Sequence, residues 1–409
     1  MRGKARVCGI ICEWNPFHKG HAALLEASRE NGVDFHIAVM SGNFVQRGGP
    51  SIFSKWARAE MALACGVDLV LELPIPWAMA GAERFALGGM SLLESLGCVD
   101  FLAFGSETGD VDRLRQAARV LLSSRLRPEL QRRMKEGVSF AHAREQAVSY
   151  LFGEEAAAVL QSPNDILGTE YCKALERLHS SIEPFTIQRK GAGHDQNASH
   201  PETFASSSQI RSQILKNRSF SSWMPEPAVA VAQRELHRGL APVSEGAFSQ
   251  AVLARLRTMT IEEFSLLPDL SEGIEHRLFK AVRTASSLED LLFAVKSKRY
   301  PLARIRRLIF SAFLGIPSLP ELPFPPYARI LGFRSSAGEL LSQIRKNARI
   351  PIVSTNAEMA ALPDQARSVL NLEIRASDLY ALAQPEIQPC GLDLTRKLLV
   401  FPVGEGHTV

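Results

Sequence analysis

Nothing in the 409-residue chain approaches the ~18 consecutive apolar residues that a membrane-spanning helix needs. The opening Met1-Arg2-Gly3-Lys4-Ala5-Arg6 is basic, but Glu13 and Asn15 break the apolar run that follows, so no secretory leader is expected. Cysteine is scarce and scattered. Cys8, Cys12, Cys65, Cys98, Cys172 and Cys390 lie mostly inside apolar runs, and no two have Cys-x-x-Cys spacing. That pattern argues against a disulfide framework or a metal site, and for reduced, buried thiols in a cytoplasmic protein. A charge excess of one sign is missing too. The 47 Lys and Arg nearly balance the 43 Asp and Glu, and a net +4 permits a polyanionic partner without requiring one. Repeats and low-complexity tracts are absent. What remains is the composition of a globular protein, 46% apolar and 22% charged, long enough for two or three domains.

Strand-like runs at 7–11, 35–40, 69–73 and 101–104 alternate with helical patterns near 21–29, 54–64, 82–96 and 111–122. Such alternation predicts an α/β fold, a doubly wound parallel sheet of Rossmann-like type, over residues 1–220. An amphipathic helical insertion is expected at 109–152, and a further strand at 185–188. Ser- and Pro-rich residues 219–227 read as a linker to a mainly α-helical region at 228–409.

The run Ile11-Cys12-Glu13-Trp14-Asn15-Pro16-Phe17-His18-Lys19-Gly20-His21-Ala22-Ala23-Leu24 takes the first strand through an Asn-Pro stop into a helix. A strand–turn–helix leaves unpaired N–H groups and the positive end of a helix dipole at the sheet edge, where anions bind. His18 and His21 point to one side, and Gly20 lets a flat ligand approach the backbone. These are the parts needed to grip nucleotide phosphates. Polar residues at 41–43 and 105–107 follow later strands and would face the same crevice. A second phosphate site is read in Ser206-Ser207-Ser208-Gln209-Ile210-Arg211, where Ser207 and Ser208 open a helix and Arg211 adds fixed charge.

Together the two motifs resemble the His-x-Gly-His nucleotidylyltransferase superfamily. Further segments narrow the likeness: Met40-Ser41-Gly42-Asn43-Phe44-Val45-Gln46-Arg47-Gly48, Phe104-Gly105-Ser106-Glu107, Ser162-Pro163-Asn164-Asp165 and Arg189-Lys190-Gly191-Ala192-Gly193-His194-Asp195. With Ser271-Glu272-Gly273 and Ala328-Arg329-Ile330-Leu331-Gly332-Phe333, the chain resembles, nearly end to end, the bacterial tRNA(Met) cytidine acetate ligase family. That resemblance implies a carbon–nitrogen ligase that forms acetyl-adenylate from ATP and acetate. It then acetylates N4 of the wobble cytidine of elongator tRNA(Met), releasing AMP and pyrophosphate.

The resemblance carries ATP binding to residues 11–24, Gly105, Asn164 and Arg189, and makes His18 and His21 catalytic. Gly105 has no side chain to obstruct the nucleotide, Asn164 offers donor and acceptor, and Arg189 can fork onto phosphate. Triphosphate chemistry implies Mg2+, although no carboxylate cage is visible. Glu13 stands where phosphate-accepting adenylyltransferases differ, and its charge would repel a phosphate monoester. Glu13 and Asp165 are both candidates for the base in the second step.

Lys296, Lys298, Arg299, Arg304, Arg306 and Arg307 form a run without an acidic residue, with Tyr300 among them for stacking. Such a stripe is expected to track RNA phosphates. Two other readings remain open: an adenylyltransferase of a small-molecule acceptor, or an RNA-binding protein with a vestigial nucleotide site. The oligomeric state is not legible in the sequence.

Overall fold

Val7–Cys12 is buried at every position and forms β1, near the middle of an eight-stranded sheet. The computed structural model describes residues 5–189, 204–271, 273–297, 300–319 and 321–402. After β1 come β2 (Phe35–Ser41), then β3 (Phe44–Val45) and β4 (Gly49–Pro50), which pair as a short antiparallel hairpin. β5 (Leu69–Leu73), β6 (Phe101–Ser106), β7 (Glu183–Gln188), β8 (Ala328–Arg334), β9 (Ile352–Val353) and β10 (Leu399–Phe401) follow.

The sheet order is β10-β8-β5-β2-β1-β6-β7, with β9 also on β8. From β5 to β7 all pairings are parallel. Continuous apolar strands such as β1 suit this arrangement, because helices cover both faces. Side chains alternate between the two layers, as a period of two requires. Val7, Ile11, Ile37 and Val39 face one core, while Cys8, Ile10, Ala38 and Met40 face the other. Helices Ala82–Ser95 and Pro163–Leu178 cover the first face; Lys19–Glu30 and Lys55–Ala64 cover the second. The chain leaves β1 for β2 on one side and later returns to place β6 on the other. The strand order therefore reverses between β1 and β6, where open α/β sheets form a ligand crevice.

The expected α/β architecture is present, and the strand at 69–73 and the helix at 111–122 have the bounds read from the sequence. Two boundaries differ. Residues 219–227 are not a free linker: Phe220 and Met224 are buried in the second core, and the helix that follows, Glu226–His237, packs on Lys55–Ala64. There Arg234 grips both carboxylate oxygens of Glu60 at 2.6 and 2.7 Å. The region 228–409 is mainly helical but does not stand apart, since β8, β9 and β10 extend the first sheet. β8 runs antiparallel to β5 and covers a buried apolar strand that would otherwise expose its backbone edge. A third core, around Phe248, Leu256, Leu278 and Phe310, lies among the helices from Ser249–Thr258 to Leu302–Leu314.

The insertion forms three helices, Val111–Leu122, Leu126–Met134 and Phe140–Phe152, around a small cluster of Leu126, Ala147, Val148, Ala157 and Leu160. No helix among the described residues is long and apolar enough to cross a membrane. Four of the cysteines are buried, Cys65 is half-buried and Cys390 is exposed; all are free.

Candidate active site

Beyond β1 the chain turns through Trp14, in the left-handed region at φ 40°, and a cis Asn15–Pro16 bond. The Asn15 amide oxygen accepts the Ile52 N–H at 2.9 Å, and the Glu13 carboxylate accepts the Gln46 N–H at 2.8 Å. Both side chains thus tie the turn to the hairpin segment. Arg58, fully buried, donates to the carbonyls of Glu13, Ser41, Gly42 and Phe53, and so clamps the ends of β1 and β2 together. Sequence reading gave Arg58 no role. Its signal in the sequence was a second cation, one turn after Lys55, on the buried face of the Lys55–Ala64 helix.

His18 caps the Lys19–Glu30 helix by an uncommon device. Its Nδ1 accepts the Gly20 N–H at 3.1 Å, while the His21 Nδ1 accepts the His18 N–H at 3.1 Å. The two rings stack, with centroids 3.6 Å apart. Because both Nδ1 atoms act as acceptors, each neutral ring carries its proton on Nε2. Neutrality is enforced. Burial, then the Arg189 guanidinium, pushes His18 down to about 3. Burial, then His18 and Arg189, holds His21 well below the usual histidine range.

A cleft of about 640 Å³ opens beside these rings, at the reversal of strand order. Its wall includes His18, Gly20 and His21 from one helix start, Ser162, Pro163 and Asn164 from another, and Ser206 from a third. Three helix N-termini therefore converge on one cavity, each with its positive dipole end and free N–H groups. Gly105, Ile187, Gln188 and Arg189 supply the wall beyond β6 and β7. A Cβ on Gly105 would lie 3.2 Å from the Arg189 Cγ, so this glycine gives room to the arginine.

Of the residues expected to bind ATP, His18, Gly20, His21, Ala23, Leu24, Gly105, Asn164 and Arg189 line the cleft. Ile11, Cys12, Trp14, Asn15, Pro16 and Phe17 are buried and build the turn, while Lys19 is exposed. Ser207, Ser208 and Arg211 stand behind the wall. Ser206, not these residues, lines the cleft; its hydroxyl caps the helix, and Arg211 donates to the Asn15 carbonyl at 2.7 Å. The two candidate bases are elsewhere: Asp165 accepts the Thr108 N–H and hydroxyl at 3.1 Å, and neither it nor Glu13 lines the cleft. Residues 190–203, which include Lys190-Gly191-Ala192-Gly193-His194-Asp195, lie outside the described residues.

Glu107 is the cleft residue whose role was missed. One of its oxygens accepts the Asn164 amide at 2.6 Å and the other the Asp165 N–H at 2.9 Å. It caps the Pro163–Leu178 helix, which has no cap from Ser162, and fixes Asn164 in place. Glu107 is also the single carboxylate on the described wall, and both oxygens are occupied. No group of three metal-ligating side chains occurs among the described residues. The described wall presents helix-start N–H donors and no carboxylate cage of the kind Mg2+ takes.

Three arginines of the basic run hold protein acceptors. Arg304 donates to the Asp269 carbonyl and the Ser271 hydroxyl at 2.7 Å, Arg306 to Glu245 at 3.0 Å, and Arg307 to Asp269 at 3.4 Å. Tyr300 is 6% exposed and packs in the third core, which removes it as a stacking platform. Lys296 is exposed; Lys298 and Arg299 lie outside the described residues.

Residues 5–392 match the family model of the HIGH nucleotidyl transferases. A curated protein of Acetivibrio thermocellus, named tRNA(Met) cytidine acetate ligase, is 38% identical, covering 97% of this chain and 100% of its own length. One of the same name from a Thermoanaerobacter species is 38% identical over 96% of this chain and 99% of its own. A crystal structure of Thermotoga maritima TmcAL bound with alpha-thio ATP superposes with a TM-score of 0.90 at 33% identity, covering 97% of this chain and 100% of that one.

Proposed function

This chain belongs to the tRNA(Met) cytidine acetate ligase family of HIGH nucleotidyl transferases, and on that premise we propose that it activates acetate with ATP and transfers the acetyl group to N4 of the wobble cytidine in elongator tRNA(Met). The observation that carries the reading is the stacked pair of neutral imidazoles at a helix start, in a cleft bounded by three helix N-termini. Such a cleft recognises triphosphate through N–H groups aimed at its oxygens.

Acetate supplies the nucleophile. A carboxylate oxygen attacks the α-phosphorus, the bond to the bridging oxygen breaks, and pyrophosphate leaves. The protein's part is positioning and stabilisation of the charge that develops on the departing oxygens. His18 and His21 do this as Nε2–H donors. Because they are held neutral, they need no proton exchange to enter the reaction. Arg189 adds a fixed cation on the same wall. The N4 amine then attacks the acetyl carbon, the bond from that carbon to the phosphate oxygen breaks, AMP departs, and the N4 proton passes to water. The buried Asp165 carboxylate, held above its usual range by desolvation and by Glu107, stays bonded to Thr108, away from the wall.

Incubation of the enzyme with labelled ATP tests the reading, with and without acetate and tRNA. Acetate-dependent pyrophosphate release is expected, with free AMP appearing as the tRNA gains acetyl groups. Label retained in a product would assign an adenylyltransferase instead, and no acetate dependence would end the ligase reading.

A further inference from the structure

The helical insertion carries charge that the cleft does not use. Residues 109–152 hold nine Lys or Arg against five Asp or Glu, an excess of four that equals the net +4 of the whole chain. Leu126–Met134 is the outer helix of the three, and Leu126 is its one buried residue. Its one acid, Glu129, serves two cations, Arg132 at 2.6 Å and Arg133 at 2.8 Å. Arg127 and Lys135 are exposed and have no ion-pair partner among the described residues. On the neighbouring Phe140–Phe152 helix Tyr150 is 68% exposed, with the Arg133 guanidinium 5.5 Å from its ring centre. A cationic face with an accessible ring is the chemistry that receives a phosphate backbone and an unstacked base.

The face is joined to the cleft. Glu145, on the neighbouring Phe140–Phe152 helix, accepts the Gln161 amide at 2.7 Å, and Gln161 is part of the cleft wall. RNA lying across the insertion would therefore be held beside the nucleotide. By contrast, Arg304, Arg306 and Arg307 each already hold a protein acceptor.

We propose that the exposed face of Leu126–Met134, with Tyr150 beside it, docks the phosphate backbone of the tRNA substrate. This rests on the ligase reading for the identity of the RNA. Phosphate contacts here give affinity and register, while base choice lies elsewhere.

The test is a double variant, Arg127→Ala with Lys135→Ala, in the full chain, titrated with unacetylated elongator tRNA(Met) across a salt series. Affinity should fall about tenfold at low salt, and the slope of log K against log salt should shrink by about 1.5, the counterions of two phosphates. Acetate-dependent pyrophosphate exchange without tRNA should be unchanged. Tyr150→Ala should weaken binding and leave the slope as it is. Unaltered affinity and slope in the double variant would overturn the proposal, all the more if Arg306→Ala lost affinity instead. So would self-association of the unsubstituted protein in sedimentation that the double variant loses while tRNA binding stays intact, which would make this face an interface between copies. If the unsubstituted enzyme binds tRNA but shows no acetate-dependent exchange, the ligase reading fails while the docking result still stands.

Discussion

His18 and His21 enter the cleft as neutral donors because the fold leaves their Nδ1 atoms no other state. A His-x-Gly-His string cannot show which nitrogen is engaged; that needed the helix start and the stacked geometry. His21→Ala should lower acetate-dependent pyrophosphate exchange by about 10²–10³-fold, the range for loss of one preorganised donor, with tRNA affinity retained. Loss of both together would mean that one site serves both ligands. The same burial has a cost in acid. His18 and His36 are both held near 3 in the folded state, each by burial first, against an unfolded value near 6.5. Below that value the unfolded chain takes up protons that the folded chain refuses. Their stability contribution is therefore complete above pH 6.5 and lost as pH falls toward 3, about 2 kcal/mol for each histidine at pH 5. His36 lies outside the cleft, where the Ser28 hydroxyl donates to the Leu25 carbonyl and accepts from the His36 Nε2. Urea unfolding of His36→Gln at pH 7 and pH 5 should show a smaller loss than the unsubstituted protein, and an equal loss would contradict the assignment.

At the scale of elements, local pattern and tertiary need diverge at the caps and the hairpin. The Pro163–Leu178 helix begins Ser-Pro, which the sequence marks as a start, but the cap comes from Glu107, 57 positions from the Asn164 it also binds. Glu107→Ala should cost about 1 kcal/mol in stability. It should also raise the KM for ATP by freeing Asn164, a split measurable by denaturation alongside steady-state kinetics. Gly48 closes the β3–β4 hairpin at φ +83°, and a Cβ there would overlap the backbone of Arg306 and Arg307. Gly48→Ala is thus strained twice, by conformation and by contact, and should destabilise by about 1–3 kcal/mol. A shift in denaturation midpoint within error of zero would show that the Leu302–Leu314 helix can move away.

For the molecule as a whole, the binding of the C-terminal region to the first sheet rests on a buried set of charges. Lys55 and Arg329 lie between Glu72 and Asp393, at 2.6 to 3.1 Å. Two cations and two anions balance, and Glu373, forced well above its usual range by burial and by Glu72, completes the set as an acid. Asp393→Ala leaves one cation uncompensated in the interior and should cost about 3–5 kcal/mol in equilibrium unfolding. A cost under about 1 kcal/mol would mean that Glu373 has ionised in its place. None of this pairing could be read from the chain, since Lys55 and Asp393 are separated by 338 positions. What the sequence determined by itself was everything that repeats or turns locally. The alternation of strand and helix, the parallel sheet of continuous apolar strands and the helix starts beyond the strand ends follow from backbone periods and end effects that reach only a few residues. Only the tertiary structure decided which carboxylate caps which helix, which arginines remain free for a partner, and that β8 to β10 close the first sheet. Those depend on desolvation and charge balance between distant segments, terms that exist only once the chain has brought them together.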